Sequence, residues 1–139
     1  MLTPEVRLAM EGIFPAKIVT CSAEGIPNIA ILSQVWYVDE THVALSHQYF
    51  NKTKANLEAN PHAQVHVIGP DASMWELQVV YQRTERSGPI FDQMALKLEA
   101  IAGFMGMTEV FKLKGADIYE VLSVRECNAH WQTAEDFEA

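Results

Sequence analysis

The chain has 139 residues, 49% of them hydrophobic, with a formal charge of −8 and a pI near 5.0. That length supports one domain with a single core, and ten Lys and Arg residues in an acidic chain exclude a broad nucleic-acid footprint. No apolar run approaches the about 18 residues of a membrane-spanning helix. The opening MLTPEVRLAM carries an acid and lacks the basic start of a secretory signal, so a cytoplasmic location is expected. Cys21 and Cys127 show no metal or redox spacing and read as reduced thiols.

The first element is a helix. Thr3, Pro4 and Glu5 supply a cap, a fixed φ at the first helical position and an acid in the first turn. Val6, Ala9, Met10 and Ile13 follow as an apolar stripe, and Gly12 with Pro15 closes it. Residues 16–38 read as a hairpin: a β-rich run from Ala16 to Ser22, a turn at Glu24-Gly25, and a second strand from Pro27 through Val38. Ser33 and Gln34 interrupt the apolar run of that strand, either as an outward-facing polar pair or as a polar rim over a ligand ring. After a turn at Asp39-Glu40, a third strand runs from His42 to Ser46.

The next stretch carries the clearest functional signal. The run VALSHQYFNKTKANLEANP leaves a strand, crosses a polar loop and opens a helix that stops at Asn60-Pro61. Asn51 suits the N-cap, and Lys52 and Thr53 fall in the first turn, where backbone N–H groups lack intrahelical partners. A lysine and a hydroxyl beside a helix N-terminus suit a phosphate, and in an acidic protein they suggest a small phosphorylated ligand rather than a polyanion. The plainer reading of the same residues is a capped surface helix.

His62 to Ile68 alternates as a strand. His62 and His66 would lie about 13 Å apart along it, too far for two ligands of one ion held at about 2 Å each, so no zinc site is expected. A long strand from Met74 to Arg86 sets Trp75, Leu77, Val79 and Tyr81 on one face and Glu76, Gln78, Val80 and Gln82 on the other. Arg83 and Arg86 read as solvated strand-end residues. Pro89 starts a helix with Ile90, Phe91, Met94, Ala95, Leu98, Ile101 and Ala102 at helical spacing. Met105 and Met107 follow and read as adaptable core residues. The last strand, Asp117 to Cys127, is expected to place Ile118, Leu122 and Val124 on one side, before an acidic tail over about 128–139 that contains Trp131. The P-loop, GxGxxG, nucleophile-elbow and HExxH patterns are missing from the sequence. Short strands with two or three helices argue for a small antiparallel barrel.

The succession GIPNIAILSQV, THVALSHQYFNKTKANLEANP, HAQVHV and WELQVVYQRTER resembles the pyridoxamine 5′-phosphate oxidase-like flavin-binding split barrels, over about residues 14 to 126. The most specific piece, NKTKANLEANP, is similar to a KT-x-AN form in the small FMN-binding members. The resemblance implies a mainly β fold, a six-stranded antiparallel split barrel with flanking helices over 1–139, binding FMN at a homodimer interface. It implies that backbone groups along Ala30, Ile31, Leu32 and Ser33 meet the isoalloxazine edge, and that Ser46 and His47 approach the ribityl chain and phosphate. Lys52 and Thr53 match the phosphate-binding pair, and Asn56 lies one turn on. Gln78 matches a position that contacts the flavin from the other subunit, and Trp131 echoes a C-terminal cofactor contact. The sequence departs from the true oxidases at Ala30 and Val35, where they carry basic residues, and after Trp131, where their arginine-rich substrate segment is missing. Vitamin B6 oxidation is therefore not expected. What remains is an FMN-dependent oxidoreductase on a small substrate, a non-catalytic flavin protein for electron transfer, sensing or storage, or a relative that binds haem or a deazaflavin. No residue is assigned a catalytic step.

Overall fold

The computed structural model describes residues 1–11, 15–32, 34–47, 51–70, 72–104 and 113–127. Ser33, Ile13, Met105, Met107, Trp131 and the acidic tail lie outside the described residues. In chain order the elements are α1 (Pro4–Met10), β1 (Ala16–Cys21), β2 (Pro27–Leu32), β3 (Val35–Asp39), β4 (His42–His47), α2 (Asn51–Ala59), β5 (His62–Ile68), β6 (Met74–Glu85), α3 (Pro89–Phe104) and β7 (Gly115–Cys127). All seven strands form one antiparallel sheet in the order β2-β1-β5-β6-β7-β4-β3.

Each strand sends side chains into the same core. Ile18, Leu32, Val35, Val43, Leu45, Val65, Val67, Leu77, Val79, Tyr119 and Val121 are all buried in one cluster. A flat sheet cannot bring its two edge strands to a common core, so the sheet curls on itself, as a split barrel does. Alternation with period two puts these side chains inside and their neighbours outside. Helix α1 closes one side through Val6, Ala9 and Met10, and the Thr3 hydroxyl accepts a hydrogen bond from the Val6 amide (3.5 Å) as the N-cap. Helix α2 adds Leu57 to this core. On the opposite face of the sheet, α3 lays Met94 and Ile90 over Ala44, Ala116 and Ile118. Among the described residues, no helix is long and apolar enough to cross a membrane.

Among the described residues the barrel has seven strands rather than six. The expected strand over 27–38 is two, β2 and β3, which lie at opposite edges of the sheet. The break falls at the Ser33-Gln34 interruption: the chain leaves the β1 ladder after Leu32 and joins the β4 ladder at Val35. The expected face of β7 is also corrected. Gln78 pairs with Ser123 but Val79 pairs with Val121, so Leu122 is an extra, bulged residue and stands 44% exposed. Val124 packs against the main core while Ile118 faces α3. Both cysteines are free; Cys21 pairs in register with Pro27 and Cys127 with Met74.

Candidate functional site

A cavity of about 330 Å³ opens where the end of β4 meets the first turns of α2. Ile18, Leu32, Leu45 and Leu57 form its apolar wall, with Ser46 and Thr53 beside them. The opposite wall is polar: Tyr81, Thr84 and Asp117, with Lys54, Glu58 and Arg86 carrying charge around the space. Three residues expected to meet the ligand, Leu32, Ser46 and Thr53, are thus brought to one cavity from β2, β4 and α2.

Local hydrogen bonds fix this arrangement. Helix α2 starts at Asn51 itself, one residue earlier than a cap at that position requires. Thr53 is buried, and its hydroxyl accepts from Asn28 Nδ2 (3.4 Å), tying the first turn to β2. Asn56 is also buried and donates through Nδ2 to the Thr20 hydroxyl (3.1 Å), which clamps α2 onto β1. Its amide nitrogen therefore serves the barrel. Lys52 is exposed one residue before Thr53.

The polar wall has a defined direction. The Asp117 carboxylate can only accept, so the Thr84 hydroxyl donates to it (2.5 Å) and accepts a hydrogen bond from the Tyr81 hydroxyl (2.6 Å). Tyr119 packs its ring edge-on to Tyr81, with centroids 5.5 Å apart. Burial, then the nearby Asp117 charge, pushes its phenol far above the ordinary range, so it stays neutral. Arg86 donates to the Lys114 carbonyl (2.9 Å) at the cavity edge, so it is more than a solvated strand end. Sequence reading missed this group because residues 84 and 117 meet only through the β6–β7 register.

The other expected site residues fall elsewhere. On β2, Ala30 packs against the main core and Ile31 stands 62% exposed on the outer face. His47 occupies the last position of β4, in register with Gly115. Gln78 lies between the buried Leu77 and Val79 and so points outward, to the face of the sheet opposite the cavity. There it donates to Glu76 (3.1 Å), whose carboxylate also accepts from Arg125 (2.7 Å). The Arg125 guanidinium holds Glu76 below the usual glutamate range. Gln34 is 7% exposed, and both atoms of its amide lack a hydrogen-bond partner among the described residues.

A family model described as pyridoxamine 5′-phosphate oxidase matches residues 2–121. The chain belongs to that family. Solved structures share its fold. An FMN-binding protein from Syntrophomonas wolfei subsp. wolfei matches with a TM-score of 0.76 at 18% identity, covering 90% of this chain and 85% of the other. HupZ of Group A Streptococcus matches with a TM-score of 0.72 at 15% identity, covering 93% and 96%. HutZ, the haem storage protein from Vibrio cholerae, matches with a TM-score of 0.59 at 14% identity, covering 90% and 94%. No curated protein matches the sequence. Ala30 and Val35 stand where the resemblance led to an expectation of basic residues in the true oxidases, and both are apolar here. Val35 is buried in the main core and Ala30 packs against it, so neither place holds a cation.

Proposed function

We propose that this protein binds FMN at the interface of a homodimer and works as an oxidoreductase on a small substrate. The observation that carries the reading is the convergence of Ser46 and Thr53 on one cavity at the start of α2, beside Lys52. The free N–H groups of a first helical turn, a hydroxyl and a lysine together suit a phosphate monoester. A volume of about 330 Å³ lies at the low end of small-molecule sites, roughly 300–1,000 Å³. It has room for part of a flavin nucleotide, the remainder lying along β2 at the subunit boundary.

The dimer rests on the outer face of the sheet. β2 is an edge strand paired only with β1, and it shows Ile29 and Ile31 at 65% and 62% exposure. An exposed apolar edge is a liability in a monomer and an asset in an interface. Gln78 on the same outer face would reach the flavin of the partner subunit. When bound, the flavin supplies hydride or single-electron transfer. The chain's own residues bind its phosphate, orient its ring and exclude water through Ile18, Leu32, Leu45 and Leu57. The polar wall of Tyr81, Thr84 and Asp117 holds one proton arrangement facing the cavity. With apolar side chains at Ala30 and Val35, vitamin B6 oxidation is not the reaction we propose.

The test is reconstitution with FMN followed by anaerobic addition of NADH or NADPH. Flavin bleaching followed by repeated turnover with an added acceptor supports the oxidoreductase. Bound flavin that reduces chemically but turns over with neither nucleotide favours a flavin carrier. A Soret band after incubation with haemin, without FMN uptake, would replace the flavin reading with a haem one.

A further inference from the structure

A second opening lies at the other edge of the sheet, where β3 ends the strand order and pairs only with β4. A cleft of about 140 Å³ is lined there by Val35, Trp36 and Tyr37 of β3, by Arg7 and Glu11 from the end of α1, and by Lys97 of α3. Successive strand side chains point to opposite faces. Tyr37 packs against the main core beside α1, and Trp36 against the smaller cluster that α3 covers. Each ring carries a cation. The Arg7 guanidinium lies 4.1 Å from the Tyr37 centroid and the Lys97 ammonium 5.5 Å from that of Trp36, both within cation–π range. Neither cation has an ion pair or hydrogen bond among the described residues, Glu11 included. The backbone of this edge is open as well. The Ser46 amide donates to the Gln34 carbonyl (3.4 Å), so these two form a bonded pair of the antiparallel ladder. Bonded and non-bonded pairs alternate, and the register of Val35 on Leu45, Trp36 on Ala44 and Tyr37 on Val43 makes Trp36 the next bonded residue. The N–H and C=O groups of Val35 and Tyr37 therefore point away from β4, and they have no hydrogen-bond partner among the described residues.

We propose that the β3 edge takes up an extended acidic segment of a partner protein, which adds a strand to the sheet and sets two consecutive acidic side chains on Arg7 and Lys97. A free edge is a template for another strand: main-chain hydrogen bonds hold the segment, and alternate side chains select it. Charge decides which segment. In a chain of net charge −8, two cations without acidic partners flank one strand edge. The residue that pairs with Tyr37 sends its side chain to the Tyr37 face, toward Arg7, and the residue next to it goes to the Trp36 face, toward Lys97. Acids at alternate positions would reach only one of the two cations. The inference is independent of the flavin reading, since it uses the edge strand opposite β2. Arg7 and Lys97 carry no shared motif in the sequence, because the cleft exists only where α1 and α3 meet the same strand.

The experiment is an amide NMR titration of the full chain with the end-blocked peptide Thr-Val-Asp-Glu-Val-Thr, in about 0.15 M salt so that the net charge is screened beyond about 8 Å. Binding is expected to slow hydrogen exchange at the Val35 and Tyr37 amides. The peptide with Asn-Gln in place of Asp-Glu should bind roughly two- to thirtyfold more weakly, the worth of two exposed ion pairs. Arg7→Gln and Lys97→Gln, both at exposed positions, should each weaken the acidic peptide by up to about fivefold and leave the Asn-Gln peptide unchanged. The acidic peptide N-methylated at alternate residues cannot pair with an edge and should not bind. Equal binding of the acidic and Asn-Gln peptides, full binding of the N-methylated one, or no slowing of exchange at Tyr37 overturns the proposal. The same protection from inorganic phosphate or free glutamate would assign the cleft to a small oxyanion instead. Protection that appears with rising protein concentration alone would assign the edge to a second copy of this chain. Either result also overturns the acidic-peptide reading.

Discussion

Replacing Lys52 with alanine separates phosphate recognition from ring recognition. Lys52 stands in the first turn of α2, next to the buried Thr53 that lines the cavity. Two unit charges 4 Å apart interact by about 1 kcal/mol in water and about 4 kcal/mol in a surface environment of intermediate dielectric. A charge-assisted hydrogen bond contributes about 1.5–3 kcal/mol net, and the exposure of Lys52 argues for the lower half of that range. FMN binding by Lys52→Ala should therefore weaken by roughly 10- to 40-fold. Riboflavin, which has the same ring and ribityl chain without the phosphate, should bind almost as it does to wild type. Isothermal titration with both ligands reads the difference. Lys54→Ala is the informative companion, because Lys54 lines the cavity directly. Equal losses for FMN and riboflavin in Lys52→Ala would refute the phosphate contact. An FMN-specific loss confined to Lys54→Ala would refute the assignment to Lys52 and move it two residues on.

Three further outcomes follow from the hydrogen-bonded groups. Thr84→Val keeps the shape of the side chain but breaks its bonds to Asp117 and Tyr81; urea unfolding should show a loss of about 2–3 kcal/mol, and a change under about 0.5 kcal/mol would mean the chain of hydroxyls contributes little. Glu76→Gln should lower stability at neutral pH. Because Arg125 depresses the carboxyl below its ordinary 4.5, the native state gains from ionised Glu76 above that value, and the gap to the variant should close as pH falls through the folded value; a gap unchanged at acid pH would contradict this. Gln34→Leu should raise the melting temperature, because an unpaired buried amide costs about 1–3 kcal/mol and leucine of similar volume does not carry that cost. A lower melting temperature would mean that the amide is satisfied in the folded protein.

Much of the barrel was legible because its strands alternate. Leu77 and Val79 inside, Glu76 and Gln78 outside, follow from period two alone, and α3 follows from Met94 and Leu98 at helical spacing. The misses come from features that period two cannot carry. Ser33-Gln34 was visible as an interruption, but whether a polar pair decorates a strand or ends it depends on which ladder the next residue joins. Leu122 belonged to the buried face until one bulge shifted the register of β7 against β6. The candidate site divides the same way. Thr53 and Ser46 were legible from the helix start and the strand end around them. The Tyr81–Thr84–Asp117 chain was not, since Thr84 and Asp117 meet only through cross-strand register. Gln78, expected at a cofactor, faces away from the cavity of its own chain.

The central claim is that this chain holds FMN, and an absorption spectrum of the purified protein tests it most directly, before and after adding FMN, with a denatured sample to identify what is released. Flavin bands are expected in the folded protein, with FMN set free on denaturation. A colourless protein that also ignores added FMN would contradict it, and α2 would then be a surface helix on a barrel of another purpose.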